Sequence, residues 1–247
     1  MKTVIIVQAR MTSTRLPGKV LKTVLGKPLL EYQMERLQRV TLADQIVVAT
    51  TVNETDQPIV DVCDRLSIPV YRGSEQDVLA RYYEAAQTFE ADAIVRVTSD
   101  CPLIDPEIID RVIAIYQQNV PNLDYVVTDE VSYPRGMDVE AFSMQVLEET
   151  YREATHPAHR EHVTPFIYQQ PSRYHVYTVM QDCLLAPCRL TVDTSEDFEL
   201  IRCILEHLYS AQPQFNLHSI IGLLQQKPEL VAINAHVIQK PLMEAVV

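Results

Sequence analysis

The sequence predicts an α/β fold, a mainly parallel sheet flanked by helices, with an α+β insertion over about residues 132–187. Three observations carry this reading. Short β-rich apolar runs alternate with amphipathic helical stretches through the first two-thirds of the chain. The first run opens directly into a glycine-containing loop rich in arginine and lysine. From about Ser132 the rhythm changes, and the alternation resumes near Cys188.

Each element has a local reason. Residues 4–7 (Val-Ile-Ile-Val) read as a buried strand, and residues 29–40 as a helix with apolar side chains at helical spacing. A second strand is expected over 45–50. Asp56-Gln57-Pro58 then opens a helix through Leu66, with proline in its first turn. A strand at 69–71 meets Arg72-Gly73-Ser74, and residues 77–89 read as a helix. A fourth strand at 93–98 precedes Ser99-Asp100-Cys101-Pro102, a helix to about 118 and a strand at 124–128. Within the insertion, a strand at 139–142, helices at 144–154 and 161–168 and a β-rich stretch at 174–180 suggest a lid or dimer contact. A strand over 188–193 and helices over 195–209 and 217–226 complete the expectation, which leaves the last twenty residues unassigned. The whole, residues 1–247, reads as one domain.

Composition narrows the function. At 247 residues and 28.2 kDa the chain can bury a full core. Its net charge of -12 and pI near 5.0 argue against nucleic acid or an anionic membrane as partner. Five scattered cysteines (Cys63, Cys101, Cys183, Cys188, Cys203) suit a reducing cytoplasm better than a disulfide framework. The Cys183/Cys188 spacing does not make a zinc site. No apolar run is long enough for a membrane span or a signal peptide, so a cytoplasmic location is expected.

Against that acidic background, the first thirty residues hold six basic residues and no acidic one. Arg10, Arg15 and Lys19 lie within ten residues of each other, with Pro17 and Gly18 between them. Arginine supplies a rigid fork for phosphate oxygens, lysine a compact charge, and glycine close backbone approach. The loop is neither a Walker A sequence nor a dinucleotide fingerprint. A solvated basic loop is the bland alternative, but ligands gather at the carboxyl ends of such strands.

Asp100 and Asp193 each end a predicted strand, so both carboxylates reach the sheet edge that carries the basic loop. Together they suit a magnesium ion, which takes few carboxylates plus phosphate oxygens. Each has a structural alternative: Asp100 as a turn cap before Pro102, Asp193 as the residue before a helix whose Thr194 and Asp197 have capping-box spacing. His156, His159 and His162 do not share one helix face and are not read as a zinc site. No nucleophile elbow and no cysteine with a placed base is present.

These segments resemble a known family. Gln8-Ala9-Arg10-Met11-Thr12-Ser13-Thr14-Arg15-Leu16-Pro17-Gly18-Lys19, Gly26-Lys27-Pro28-Leu29, Arg72-Gly73-Ser74-Glu75-Gln76-Asp77, Asp100-Cys101-Pro102-Leu103-Ile104-Asp105, Arg160-Glu161-His162-Val163-Thr164-Pro165 and Leu190-Thr191-Val192-Asp193-Thr194-Ser195 follow in collinear order. They are similar to the spore-coat polysaccharide cytidylyltransferase-like (SpsF-like) proteins, relatives of the CMP-Kdo and CMP-sialic acid synthetases. The resemblance implies a Rossmann-like nucleotide-diphospho-sugar transferase fold, often a homodimer. It implies CTP as donor, a sugar-like acceptor and magnesium. By resemblance, Arg10 and Lys19 hold the triphosphate, with Ala9, Arg15 and Gly18 shaping the loop. Asp100 and Asp193 coordinate Mg2+. Gly73, Ser74 and Asp77 lie near nucleotide or acceptor, and Glu140, Glu161 and His162 on the acceptor side. One departure stands out: the CMP-Kdo enzymes carry glutamine two residues before the first metal aspartate, where this chain has Thr98. Their acceptor and base contacts therefore do not carry over.

Overall fold

The computed structural model describes residues 1–181 and 188–239. The chain begins with β1 (Thr3–Gln8), whose valines and isoleucines are fully buried. A long loop follows, ending in the two-stranded ribbon β2 (Thr23–Val24) and β3 (Lys27–Pro28), and leads into helix α1 (Leu29–Leu37). Next come β4 (Gln45–Thr51), α2 (Gln57–Arg65), β5 (Val70–Gly73), α3 (Val78–Thr88), β6 (Ala93–Thr98), α4 (Pro106–Asn119) and β7 (Tyr125–Thr128). The later part contributes β8 (Glu140–Ser143), α5 (Met144–Glu153), α6 (Pro157–His162), α7 (Pro165–Tyr168), β9 (Val176–Val179), α8 (Ser195–Leu208), α9 (Leu217–Gln226) and α10 (Pro228–Val231).

Among the described residues the main sheet has seven strands in the order β5-β4-β1-β6-β8-β7-β9. All of its pairings are parallel except those of β8, which runs antiparallel to both β6 and β7. Strands buried on both faces must be apolar throughout, and β1 shows it: Ile5 and Val7 pack with α1, α4 and α8, while Val4 and Ile6 pack with α3 and α5. Strand order reverses between β1 and β6. The loops that leave their carboxyl ends diverge there and open the crevice where α/β sheets take ligands.

Most predicted elements are present, with bounds shifted by a residue or a few. Three differ in kind. Residues 188–193 form no sheet strand; they contribute one isolated bridge, Arg135 to Arg189. The helix expected over 161–168 is split into α6 and α7, because Val163 takes a positive φ of 71°. The predicted insertion also supplies the sheet itself: β8 lies inside it, hydrogen-bonded to β6 and β7, and β9 forms its edge. Residues 182–187 of that insertion, including Cys183, lie outside the described residues, as do 240–247. Cys63, Cys101, Cys188 and Cys203 are free thiols. No helix among the described residues is long and apolar enough to cross a membrane.

Segment 188–193 is extended for a tertiary reason. The Leu190 N–H donates to the Arg135 carbonyl (2.7 Å), and the Val192 N–H donates to the Asp100 carbonyl (2.8 Å). Contact with the 135–136 turn is so close that a Cβ on Gly136, whose φ is 102°, would lie 2.6 Å from the Leu190 carbonyl carbon. Only glycine accepts both the conformation and the contact. Gly136→Ala is therefore expected to lower unfolding stability by about 2–4 kcal/mol in urea titrations, the combined scale of backbone strain and overpacking.

Candidate active site

Asp100 and Asp193 are far apart in sequence but meet through one lysine. Lys19 Nζ lies 3.0 Å from Asp100 Oδ2 and 2.9 Å from Asp193 Oδ1. Each group is held by its own local structure. Asp100 follows β6 in a turn whose Thr98 and Cys101 carbonyls accept from the amide of Gln33, a buried α1 residue. Thr98 Oγ1 donates to Asp100 Oδ1 at 2.6 Å, so the residue that replaces the glutamine of the CMP-Kdo enzymes orients this carboxylate. Asp193 immediately precedes α8, and its N–H donates to Asp197, which also completes a capping box with Thr194. The helix-start geometry expected around Asp193 is present, and it leaves the carboxylate directed at Lys19.

Asp193 carries two further cations. Arg15 Nη2 sits 2.9 Å from its Oδ2, and Arg189 donates to the same oxygen. Arg189 is anchored in turn by Nε to Asp197 Oδ1 at 2.9 Å, and Asn234 donates to that same Asp197 oxygen. Oδ2 is thereby tied back, while Oδ1 faces Asp100 across Lys19.

Burial works against the Lys19 charge, but the charges of Asp100 and Asp193 outweigh it and hold the ammonium above the ordinary lysine value. Burial likewise pushes the Asp100 carboxyl up, and the Lys19 charge and Thr98 hydroxyl overcome it, leaving that carboxyl below the usual range. Lys19 and Asp100 therefore face each other as an ion pair at neutral pH. Burial also pushes the neighbouring Cys101 thiol well up, so it supplies no thiolate.

The basic loop is closed on itself. Gly18 adopts the left-handed conformation (φ 68°), and its N–H donates to the Met11 carbonyl at 2.9 Å. The Ala9 N–H extends the sheet pairing to Ala49. These two amides therefore shape the loop, and neither N–H is free to cradle a phosphate. Asp56, fully buried, holds the Met11 N–H at 2.8 Å and both the Thr50 and Thr51 hydroxyls. Arg10 projects from the rim with its side chain 39% exposed, 3.9 Å from Glu75. The Thr12 hydroxyl, helped by Asn53, keeps the Glu75 carboxyl below its ordinary value.

The remaining expected residues form two neighbouring groups. Gly73 ends β5, where an added Cβ would meet the Tyr71 ring at 2.9 Å. Ser74 Oγ accepts from the Asp77 N–H (3.1 Å), while Asp77 caps α3 through the Ala80 N–H (2.9 Å) and pairs with Arg160. Asp77 is thus committed to a helix cap and a clamp on α6, the helix that carries Glu161 and His162. Glu140 accepts from Arg96 (2.7 Å), Tyr125 (2.7 Å) and Thr164 (2.9 Å). Arg96 also reaches toward Gln8 Oε1 at 3.4 Å, which links this group to the end of β1. Neither group bonds directly to Asp100 or Asp193. Glu75, Asp56 and Arg189 escaped the sequence reading. Glu75 and Arg189 flank recognisable motifs, but nothing local says which distant group each will pair with.

Two carboxylates that converge on one cation position are a donor set that magnesium accepts, with phosphate oxygens filling the rest of its shell. Among the described residues no cluster of three or more His, Cys, Asp or Glu groups is able to hold a metal alone. The residues present therefore fit a metal that arrives with a phosphate ligand better than a closed structural site.

A switch-point crevice with a basic loop on one strand and paired carboxylates opposite defines a nucleotide-handling α/β enzyme. Comparison with known proteins agrees. The cytidylyltransferase family model matches residues 4–231. The spore coat polysaccharide biosynthesis protein SpsF of Bacillus subtilis is 32% identical, over 91% of this chain and 94% of that protein. A solved cytidylyltransferase from Leptospira borgpetersenii superposes with a TM-score of 0.89 at 31% identity, covering 94% of this chain and 97% of that one. A CMP-2-keto-3-deoxy-manno-octonic acid synthetase solved in complex with CTP shares the fold, with a TM-score of 0.66, 19% identity and coverage of 84% and 99%. The chain belongs to the cytidylyltransferase family and is a nucleotidyltransferase with the Rossmann-like fold of its relatives.

Removing the shared lysine tests this geometry. Lys19→Met is expected to cost about 2–3 kcal/mol of unfolding stability near pH 7. That is below the usual penalty for orphaning a buried charge, because Arg15 and Arg189 still serve Asp193. Adding Asp100→Asn should recover part of the loss, since it removes one of two facing carboxylates. The Asp100 carboxyl is depressed in the folded protein, so its share of the stabilisation is present at neutral pH and disappears as the pH falls through that depressed value. Wild type and Lys19→Met should therefore converge in stability at low pH.

Proposed function

We propose that the protein transfers CMP from CTP to a sugar, sugar acid or related anionic acceptor, with release of pyrophosphate and dependence on magnesium. The observation that carries this reading is the Lys19 ammonium held between Asp100 and Asp193 beside the Arg10–Arg15 loop. Cations of the loop and carboxylates of the opposite segments neutralise one another. A triphosphate that brings a divalent ion offers each set a new partner of opposite charge, so the site is matched to both together.

In this reading Arg10, Arg15 and Lys19 bind the triphosphate and stabilise the charge that builds on the leaving pyrophosphate. Asp100 and Asp193 would hold the magnesium, which when bound neutralises charge on the triphosphate oxygens. Thr98 and Arg189 keep the two carboxylates in their facing orientation. An acceptor oxygen attacks the α-phosphorus in line: the new O–P bond forms as the bond to pyrophosphate breaks, and alignment supplies much of the rate. Glu140 already accepts hydrogen bonds from Arg96, Tyr125 and Thr164, and the Arg96 guanidinium between Glu140 and Gln8 supports an anionic acceptor group on that side. Cytosine as the base rests on the family and on the CTP-bound relative. A role in surface polysaccharide synthesis rests on the Bacillus subtilis relative's name.

Ligand-dependent melting tests the donor. CTP with magnesium, at about a hundred times its Kd, should raise Tm by roughly 5–10 °C, and the other nucleoside triphosphates should do so far less. An equal shift with all four would remove the cytosine assignment. In turnover assays, Asp193→Asn should lower CTP-dependent pyrophosphate release by roughly 10²–10³-fold while the far-UV spectrum stays unchanged. Undiminished release would overturn the role of the carboxylates.

A further inference from the structure

A second group of cations lies away from the nucleotide loop. A cavity of about 340 Å³ opens between α1, the end of α8 and residues 213–215, and Arg36 and Arg39 both line it. Among the described residues neither arginine forms a salt bridge with a carboxylate. Arg36 is only 4% exposed; its Nε donates to the Ile104 carbonyl at 2.8 Å, but its Nη2 has no hydrogen-bond partner. Arg39 donates through Nη2 to the Gln214 carbonyl at 3.2 Å, and its buried Nη1 is likewise unpartnered.

The nearby acids already have partners: Glu35 lines the same cavity but is neutralised by Lys27, and Asp105 is bonded to backbone. Glu35 sits one turn before Arg39, the usual ion-pair spacing on a helix, yet its carboxylate binds Lys27 and the Tyr209 hydroxyl. Asp105 accepts the Glu107 and Leu217 N–H groups. Burial pulls the Arg36 guanidinium down to about 10, the Asp105 charge opposes the fall and the Arg39 charge adds to it, and Arg36 remains charged at neutral pH. In a chain of net charge -12, a buried and a half-buried guanidinium, each with an unused buried N–H donor, are an unusual local excess of positive charge. Such donors are costly to leave without an acceptor.

We propose that this cavity binds a small oxyanion, a phosphate or carboxylate group carried on a compact molecule, through Arg36 and Arg39. Its volume lies at the lower end of the range for small-molecule sites. The Phe215 ring lies 4.6 Å under the Arg36 guanidinium and holds it at the cavity wall. Neither arginine belongs to the loop or carboxylate pair described above, so the proposal does not depend on the identity of the donor nucleotide. The cavity is nonetheless tied to the catalytic side. Arg36 grips Ile104, and Gln33 on the same helix grips Thr98 and Cys101, so an occupant bears on the segment that presents Asp100.

Calorimetric titration of the full chain with inorganic phosphate and, separately, with acetate tests the site. The background is Arg10→Gln, which weakens anion binding at the nucleotide loop. At least one of the two anions should bind, and adding Arg39→Gln should weaken it roughly tenfold or more, the scale of one lost charge-assisted hydrogen bond. Arg39 is used because it is only half-buried, and an unchanged circular dichroism spectrum checks the fold. Phosphate as the tighter ligand marks a phosphorylated occupant, and acetate a carboxylate. If neither anion binds the Arg10→Gln protein, or if Arg39→Gln leaves both affinities unchanged, the proposal is overturned.

Discussion

The ammonium of Lys19, bonded to Asp100 on one side and Asp193 on the other, is the contact around which the site is arranged. Two carboxylates at that separation repel unless a cation lies between them, and a largely buried lysine is stable only with such partners. Much of the neighbouring structure follows from this need. Gln33 fixes the turn that carries Asp100, the 135–136 turn and the Asp100 carbonyl dock the segment that carries Asp193, and Asp56 closes the loop that carries Lys19. Three stretches distant in sequence are held in register by backbone and side-chain hydrogen bonds so that three charges coincide.

Under the proposed function, the arrangement also explains how an acidic protein would keep a polyphosphate site ready. The loop cations do not face solvent as a free positive patch: Lys19 and Arg15 are paired with Asp193, and Arg10 lies near Glu75. Such pairs are partly dehydrated and preorganised, so binding exchanges one set of ionic partners for another without ordering free side chains. Behind the front pair, Arg189, Asp197 and Asn234 form a polar layer that ties the Asp193 carboxylate to the start of α8 and to the chain beyond α10. Shifts of Asn234 or Asp197 would reach the site through Arg189, although neither touches the loop.

Much of this was legible in the sequence, for physical reasons that differ between elements. The buried strand β1, the proline-led α2 and α4 and the asparagine-capped α9 are set by local pattern and capping, and they appear where expected. Lys19, Asp100 and Asp193 were readable as a set because each lies beside a recognisable strand or helix end. The misread parts are those that long-range contacts decide. Leu190 and Val192 alternate like a strand, but their extension comes from docking on Arg135 and Asp100, not from the sheet. β8 enters the sheet between β6 and β7, a pairing that no local signal encodes. The pairing of Asp77 with Arg160 on α6 is likewise a long-range contact that no local pattern announces.

The central claim is that Lys19 occupies the one cation position that Asp100 and Asp193 share. Titration with manganese, a paramagnetic substitute for magnesium, followed by electron paramagnetic resonance with and without CTP, tests it most directly. The account predicts weak manganese binding to the protein alone, strong binding once CTP draws Lys19 toward its phosphates, and strong nucleotide-free binding in Lys19→Met. Strong binding to the wild-type protein without nucleotide, abolished by Asp193→Asn, would contradict it.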